Sequence, residues 1–227
     1  MIEHNKDNVI ALIGGTGKEG KGLAYRLAKA GYPIIIGSRD LSKASETATY
    51  LESMLPKNSR ISGSTNEEAV KKCQIAVLTI PYSAHQITIE NLSSFLRDKL
   101  VVDVTVPLSP PKITRVQMPA AGSAAQETVL ILGENALVAA AFQNISYENL
   151  MNDSEKSSCD VLVTGTNKES RSLTLELVKD TGFIGWDAGP IENSVVLEGL
   201  TSVLIGINRQ YKTTHAGIRI TGVDRGD

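Results

Sequence analysis

The clearest chemical motif of the sequence is a glycine loop, Gly15-Thr16-Gly17-Lys18-Glu19-Gly20, which fits the pattern G-x-G-x-x-G. In a phosphate-binding turn the first glycine permits the tight turn, the second lets the backbone approach a pyrophosphate, and the third allows close helix–strand packing. A helix that begins here also offers N–H groups and the positive end of its dipole to phosphates. The loop therefore predicts a dinucleotide site, provided that a strand precedes it and a helix follows.

A second group of residues, Gly37-Ser38-Arg39, indicates which dinucleotide binds. NAD enzymes usually carry an acid at this distance from the glycine loop, where it holds the ribose 2′-hydroxyl. Arg39 can instead pair with a 2′-phosphate in a forked geometry, Ser38 can donate its hydroxyl, and Lys43 lies one helical turn further on. Asp40 is expected to cap the helix that follows rather than to face the ligand. These residues favour NADP over NAD.

A third group, Thr79-Ile80-Pro81-Tyr82, follows a strongly apolar run that we expect to be a strand. Ligands of open parallel sheets bind beyond the carboxyl ends of the strands. Ile80, Pro81 and Tyr82 should therefore flank the nicotinamide, with Val106 at the end of the neighbouring strand. The Tyr82 ring could either stack on a flat ligand ring or cover the core.

The usual acid–base apparatus is missing from the sequence. His85 is expected to be a solvated or satisfied histidine, and no lysine or histidine lies in a pattern that demands general-base chemistry. We therefore assign no catalytic residue, which suits a reaction in which the cofactor carries the chemistry and the protein positions it. Cys73 and Cys159 are the only cysteines and form no CxxC pair, so neither a disulfide framework nor a metal site is expected.

Short apolar runs alternate with amphipathic segments along the chain, which predicts a parallel sheet with helices on both faces. The expected strands are 9–13, 33–37, 60–63, 75–80, 100–106, 137–142, 160–164 and 183–186, and the expected helices are 18–30, 41–55, 66–72, 83–95, 120–132, 168–180 and 194–209. Residues 109–119 are a proline-rich loop. The predicted fold class is α/β, a Rossmann-like doubly wound, mainly parallel sheet with a small C-terminal α/β unit.

Two domains are expected, an NADP-binding Rossmann domain over residues 8–150 and a small C-terminal domain over 151–227, with a polar break at 152–158 as their boundary. The last helix, 194–209, has too much apolar surface for an exposed helix. It should pack against the Rossmann domain or against a second subunit, and we expect a homodimer.

Charge and hydropathy exclude several classes of protein. The formal net charge of −2 gives no basic field for nucleic acid. No apolar run approaches the roughly 20 residues that span a bilayer, and residues 1–8 are too polar for a signal peptide. A cytoplasmic protein is expected, without nucleic-acid or membrane partners.

Taken in order, five stretches of the chain resemble the NADPH:coenzyme F-420 oxidoreductase family. They are Ile13-Gly14-Gly15-Thr16-Gly17, Gly37-Ser38-Arg39 with Lys43, Ala76-Val77-Leu78-Thr79-Ile80-Pro81, Asp187-Ala188-Gly189-Pro190 and His215-Ala216-Gly217-Ile218. The resemblance runs from about Asn8 to Val223. It implies reversible hydride transfer between C4 of the nicotinamide of NADP(H) and C5 of the deazaflavin coenzyme F-420, the substrate.

The resemblance also implies roles for individual residues. The pyrophosphate would be lined by Thr16, Gly17, Lys18 and Glu19, and the 2′-phosphate would be held by Ser38, Arg39 and Lys43. The nicotinamide would be bordered by Ile80, Pro81, Tyr82 and Val106. The far side of the deazaflavin would be formed by Gln143, Asn144, Ala216 and Gly217. Family members often carry histidine at the position of Gln143. Glutamine can donate a hydrogen bond but cannot carry charge, which argues against a proton relay there.

Two other functions fit the glycine loop and Ser38-Arg39 equally well. One is an NADP-dependent reductase of another acceptor, such as a flavin, a metal chelate or a small imine or keto acid. The other is a redox sensor that binds NADP without catalysis, because the fold alone does not define an activity.

Overall fold

The computed structural model describes residues 2–152 and 159–224. Its strands are β1 (Ile10–Ile13), β2 (Ile34–Ser38), β3 (Ile61–Thr65), β4 (Ile75–Leu78), β5 (Leu100–Asp103), β6 (Leu137–Ala140), β7 (Asp160–Gly165) and β8 (Ile184–Pro190). Its helices are α1 (Lys18–Lys29), α2 (Leu41–Glu52), α3 (Asn66–Lys72), α4 (His85–Leu96), α5 (Ala124–Leu132), α6 (Tyr147–Met151), α7 (Lys168–Asp180) and α8 (Ser194–Tyr211). Single 3₁₀ turns precede α4 and α8.

The strands form one eight-stranded sheet in the order β3-β2-β1-β4-β5-β6-β7-β8. The first six strands are parallel in the doubly wound order, and the strand order reverses between β1 and β4. Every residue of β1, β4 and β5 is buried. This burial explains why these strands are continuous apolar runs rather than alternating ones. The predicted fold class is confirmed.

The last two strands extend the same sheet. β7 pairs antiparallel with β6 through Ala139–Gly165 and Ala140–Thr164, and β8 pairs parallel with β7. The polar break predicted at 152–158 lies, apart from Asn152, outside the described residues. The division of the chain near residue 150 stays a prediction.

Several predicted boundaries were wrong, each for a local reason. β5 ends at Asp103 rather than at 106, because the Asp103 carboxylate accepts a hydrogen bond from the Thr105 N–H at 2.9 Å and turns the chain. Helix α5 begins at Ala124 rather than at 120, because Ser123 caps it. The short helix α6 was not predicted at all, since five residues are too few to show a helical period.

Candidate active site

A cleft of about 670 Å³ lies at the carboxyl ends of the parallel strands, beside the point where the strand order reverses. Ligands of doubly wound sheets bind at this place. Its walls come from the glycine loop, the segments after β4, β5 and β6, helix α8 and the chain after α8. The predicted site residues that line it are Gly17, Lys18, Glu19, Ile80, Pro81, Tyr82, Val106, Gln143, Asn144 and Ala216.

The three glycines of the loop have different surroundings. A Cβ on Gly15 would lie 2.7 Å from Leu12 Cβ, and one on Gly20 would lie 2.6 Å from Gly15 Cα, so packing within the protein excludes a side chain at both positions. A Cβ on Gly17 would meet nothing nearer than Gly14 O at 4.0 Å. Its φ of −72° and ψ of 171° suit any residue. The missing side chain at Gly17 therefore leaves space on the cleft side, as close approach of a pyrophosphate requires.

The N-terminus of α1 is built differently from those of most other helices. The N-termini of five helices each have a side-chain cap, from Asp40, Thr65, Ser123, Ser146 and Asn167. No side chain of the described residues caps α1, whose N-cap residue is Gly17. Its first N–H groups therefore remain available to an anion. The residues present fit a bound phosphate.

The residues predicted to bind the 2′-phosphate, Ser38, Arg39 and Lys43, lie beside the glycine loop and outside the lining of the cleft. Gly15 N donates to Gly37 O at 3.0 Å, which fixes the loop against the end of β2. Arg39 and Lys43 are exposed, and neither forms an ion pair within the described part of the chain. Asp40 accepts hydrogen bonds from the N–H groups of residues 42 and 43, so its predicted role as a helix cap is confirmed.

Ser38 and Thr16 complete this part of the molecule. The Ser38 side chain is buried and accepts a hydrogen bond from Asp40 N at 3.1 Å, which leaves its own hydroxyl hydrogen free to donate. Thr16, partly exposed, lies in the loop next to Gly17 but outside the cleft lining.

Tyr82 packs against the protein on one face and lines the cleft as well. Its ring lines the cleft and lies over His85, with ring centroids 6.1 Å apart and an interplanar angle of 29°. Its hydroxyl donates to Glu127 Oε1 at 3.1 Å. Burial, with the nearby charge of Glu127, raises the pKa of Tyr82 to about 12, so the phenol stays protonated.

Gln143 and Asn144, which follow β6, use their amide groups within the protein. Gln143 Nε2 donates to Asp103 O at 2.8 Å, and Asn144 Nδ2 donates to Asp160 O at 2.7 Å. Gln143 Oε1 and Thr105 Oγ1 belong to cleft-lining residues, and each is buried without a hydrogen-bond partner among the described residues. Buried polar atoms are normally paired. These two atoms can pair with polar groups of a ring-bearing ligand.

Helix α8 contributes a polar pair that the sequence analysis missed. Thr201 and Asn208 line the cleft seven residues apart, on the same face of the helix. Thr201 Oγ1 donates to Gln143 O at 2.8 Å, and Asn208 Oδ1 accepts from Ala216 N at 2.9 Å. The seven-residue spacing could have indicated that the two polar residues share one face of the helix, but the many apolar residues of α8 drew the interpretation toward packing alone.

The structure places Gly217 away from the cleft lining. It is exposed, and a Cβ there would collide with Cys159 Sγ. Packing against Cys159 therefore explains this glycine, whereas its neighbour Ala216 does line the cleft.

Glu19 has the most perturbed carboxyl in the cleft wall. Burial, together with the charge of Glu148, raises its pKa to about 8. Glu19 Oε1 has no hydrogen-bond partner in the described part of the chain. At neutral pH the carboxyl is therefore mostly protonated and adds little negative charge beside Gly17.

Within residues 2–152 and 159–224, no three histidine, cysteine or acidic side chains are grouped closely enough to hold a metal ion. In the same part of the chain, none of the helices combines the length and the apolar character needed to cross a membrane.

The sheet order, the glycine loop at the reversal of that order and the uncapped α1 define the class: a dinucleotide-binding protein of the Rossmann type. Comparison with known proteins narrows this class. Residues 9–107 match the family described as NADP oxidoreductase, coenzyme F420-dependent. The chain is 37% identical over 220 residues to the F420-dependent NADP reductase of Methanothermobacter thermautotrophicus, covering 94% of this chain and 95% of the relative.

A second such reductase, from Methanocaldococcus jannaschii, is 37% identical over 222 residues, covering 95% of this chain and 99% of the relative. The crystal structure of a candidate F420-dependent NADP reductase from an Arthrobacter species superposes with a TM-score of 0.76 at 21% identity, covering 94% and 99% of the two chains, which supports the fold. The chain belongs to the family of F420-dependent NADP reductases.

Proposed function

We propose that this protein transfers hydride reversibly between NADPH and the deazaflavin coenzyme F-420. The observation that carries the proposal is the cleft of about 670 Å³ that runs from the uncapped end of α1 to Ala216. When bound, the two cofactors supply the hydride donor and acceptor, C4 of the nicotinamide and C5 of the deazaflavin. The chain supplies position, and its apolar wall keeps water away.

The individual binding roles form part of this proposal. Gly15, Gly17 and Gly20 shape the loop, and the N–H groups from Lys18 to Gly20 face the pyrophosphate. Arg39, Lys43 and the Ser38 hydroxyl hold the 2′-phosphate. The segment from Ile80 to Tyr82, with Val106, borders the nicotinamide, and Gln143, Asn144 and Ala216 lie beyond the deazaflavin.

The first experiment mixes the purified protein with NADPH and oxidised coenzyme F-420 and follows the loss of the deazaflavin's visible absorbance. Rapid bleaching that requires NADPH, and is much slower with NADH, is the expected result. An absence of bleaching while NADPH still binds by titration would contradict the proposal. It would favour another acceptor or a sensor, and flavin and imine substrates would then separate those two.

We further propose that the protein is a homodimer that uses the outer face of α8. The α8 stripe (Val196, Val203, Ile207 and Tyr211) is 61%, 47%, 38% and 70% exposed, and its members recur at helical spacing. A neighbouring face of α8, with Thr201, Leu204 and Asn208, lines the cleft. A stripe of this kind on a helix next to an active site fits a self-complementary twofold interface.

The dimer is tested by a charge placed in the stripe. Val203→Glu should halve the solution mass measured by light scattering, because a carboxylate would be buried in the interface. Ile87→Glu changes an aliphatic residue of similar exposure on α4 and should leave the mass unchanged. A monomeric wild-type protein, or a Val203→Glu variant with unchanged mass, would refute this interface.

A further inference from the structure

Asp103 lies at the end of β5, fully buried behind the cleft wall. Its Oδ1 accepts a hydrogen bond from Thr105 N at 2.9 Å, and its main-chain oxygen accepts from Gln143 Nε2 at 2.8 Å. Thr105 and Gln143 both line the cleft. One buried residue therefore fixes two separate segments of the ring-binding wall.

The other carboxylate oxygen of Asp103 acts, through His85, on a third segment of that wall, the one that contains Tyr82. Oδ2 lies 2.8 Å from His85 Nε2 and accepts from Thr128 Oγ1 at 2.6 Å. The His85 ring is fully buried and carries the ring of Tyr82 on its face. Asp103 therefore fixes the position of His85, and His85 in turn supports the ring of Tyr82 in the segment after β4.

The charges around this pair favour its ionised form. Burial would lower the pKa of His85, but the Asp103 carboxylate and Glu127 hold it above its usual value. Burial would likewise raise the pKa of Asp103, but His85, Thr128 and the Thr105 N–H hold it below its usual value. Glu127, whose Oε2 lies 3.7 Å from His85 Nδ1, also accepts from Tyr82.

We infer that the His85–Asp103 pair is a positioning unit that holds the nicotinamide-facing wall at reacting distance. Neither side chain lines the cleft, so neither is catalytic. A buried ion pair gives little stability in itself, because desolvation offsets the attraction, so its geometry is the better explanation of its presence. The inference rests on the proposed placement of the nicotinamide beside Tyr82 and Val106.

The test asks whether loss of the pair lowers kcat without changing the Kd for NADPH. NADPH affinity should come mainly from the phosphate contacts, which the pair does not touch. Asp103→Asn should therefore lower kcat about tenfold or more, while the Kd for NADPH changes by less than about twofold. His85→Gln, which keeps an N–H donor, should retain more activity than His85→Leu. Thr128→Val, which removes one bond to Oδ2, provides a milder variant if Asp103→Asn does not fold.

A second measurement requires no acceptor and is therefore independent of the deazaflavin assignment. The fluorescence of bound NADPH reports the surroundings of the nicotinamide, and its enhancement should fall in the variants while the Kd is kept. The control is Tyr32→Phe, which removes a partly buried hydrogen bond to Asp180 at a residue that does not line the cleft. It should lower the melting temperature but leave kcat and the fluorescence unchanged.

Two results would overturn the inference. The variants could behave like Tyr32→Phe, losing stability but neither rate nor fluorescence, in which case the pair is structural only. Alternatively, the Kd for NADPH could rise in parallel with the loss of kcat, in which case the pair supports the whole cleft rather than one wall.

Discussion

At its phosphate end the cleft presents exposed groups, whereas behind its ring end the side chains of His85 and Asp103 are buried and paired with each other. Gly17, Arg39 and Lys43 are exposed around an uncapped helix end. Behind the ring wall, His85 and Asp103 are fully buried. We infer that the phosphate end supplies the affinity for NADPH, because its exposed groups are available to an anion. The buried pair behind the ring wall supplies the geometry of the reacting rings. Substitutions in the two regions should therefore affect NADPH affinity and reaction rate separately.

The largest effect is expected at the glycine loop, where two glycines can be compared. Gly17→Ala should raise the Kd for NADPH at least about tenfold, or ~1.4 kcal/mol of binding free energy, and leave the melting temperature unchanged. Its Cβ would meet only the space proposed for the pyrophosphate. Gly15→Ala should destabilise the fold by roughly 1–3 kcal/mol through overpacking against Leu12. Calorimetry and NADPH titration check both, and loss of stability in Gly17→Ala would contradict this division.

Arg39 should come next and should distinguish NADPH from NADH. Arg39→Ala removes a charge-assisted contact worth about 1.5–3 kcal/mol, so the KM for NADPH should rise roughly ten- to hundredfold. The KM for NADH should change little, because NADH lacks the 2′-phosphate. Steady-state kinetics with both cofactors provides the measurement. Equal effects on both would refute the 2′-phosphate assignment.

The smallest effect is a pH dependence that should arise from Glu19. Its pKa is raised to about 8, so the carboxyl is neutral below that pH and charged above it. The ionised form repels the pyrophosphate, so NADPH affinity should fall about two- to fivefold as the pH rises through this value. Glu19→Gln should remove the dependence, as titrations across this pH range would show.

A matched variant makes this test sharper. Glu148→Gln removes the nearby charge that helps to raise the pKa of Glu19, and it should move the inflection to lower pH. An inflection that stays in place in Glu148→Gln, or that persists in Glu19→Gln, would assign the pH dependence to another group.

Sequence patterns predicted the fold well because the doubly wound sheet is a local, repeated unit. The bounds of α3 and α7 agree with the prediction, and the boundary errors arose where a side chain ends an element, as Asp103 does. The glycine loop and the Asp40 cap could be predicted because adjacent residues form them. The pair His85 and Asp103 could not, since 18 positions separate the two residues and only the tertiary fold brings their side chains together.

The cleft has walls from nearly the whole described chain, from Gly17 in the first turn of the fold to Ala216 beyond the last helix. During synthesis on the ribosome the glycine loop emerges early, but the ring site is complete only when α8 and the residues after it have emerged. A ligand that needs both ends of the cleft binds the finished protein and no partly made one. Ligands stabilise the native state by an amount that grows with the ratio of their free concentration to their Kd, so NADPH and coenzyme F-420 bound together should protect completed molecules selectively from unfolding and proteolysis.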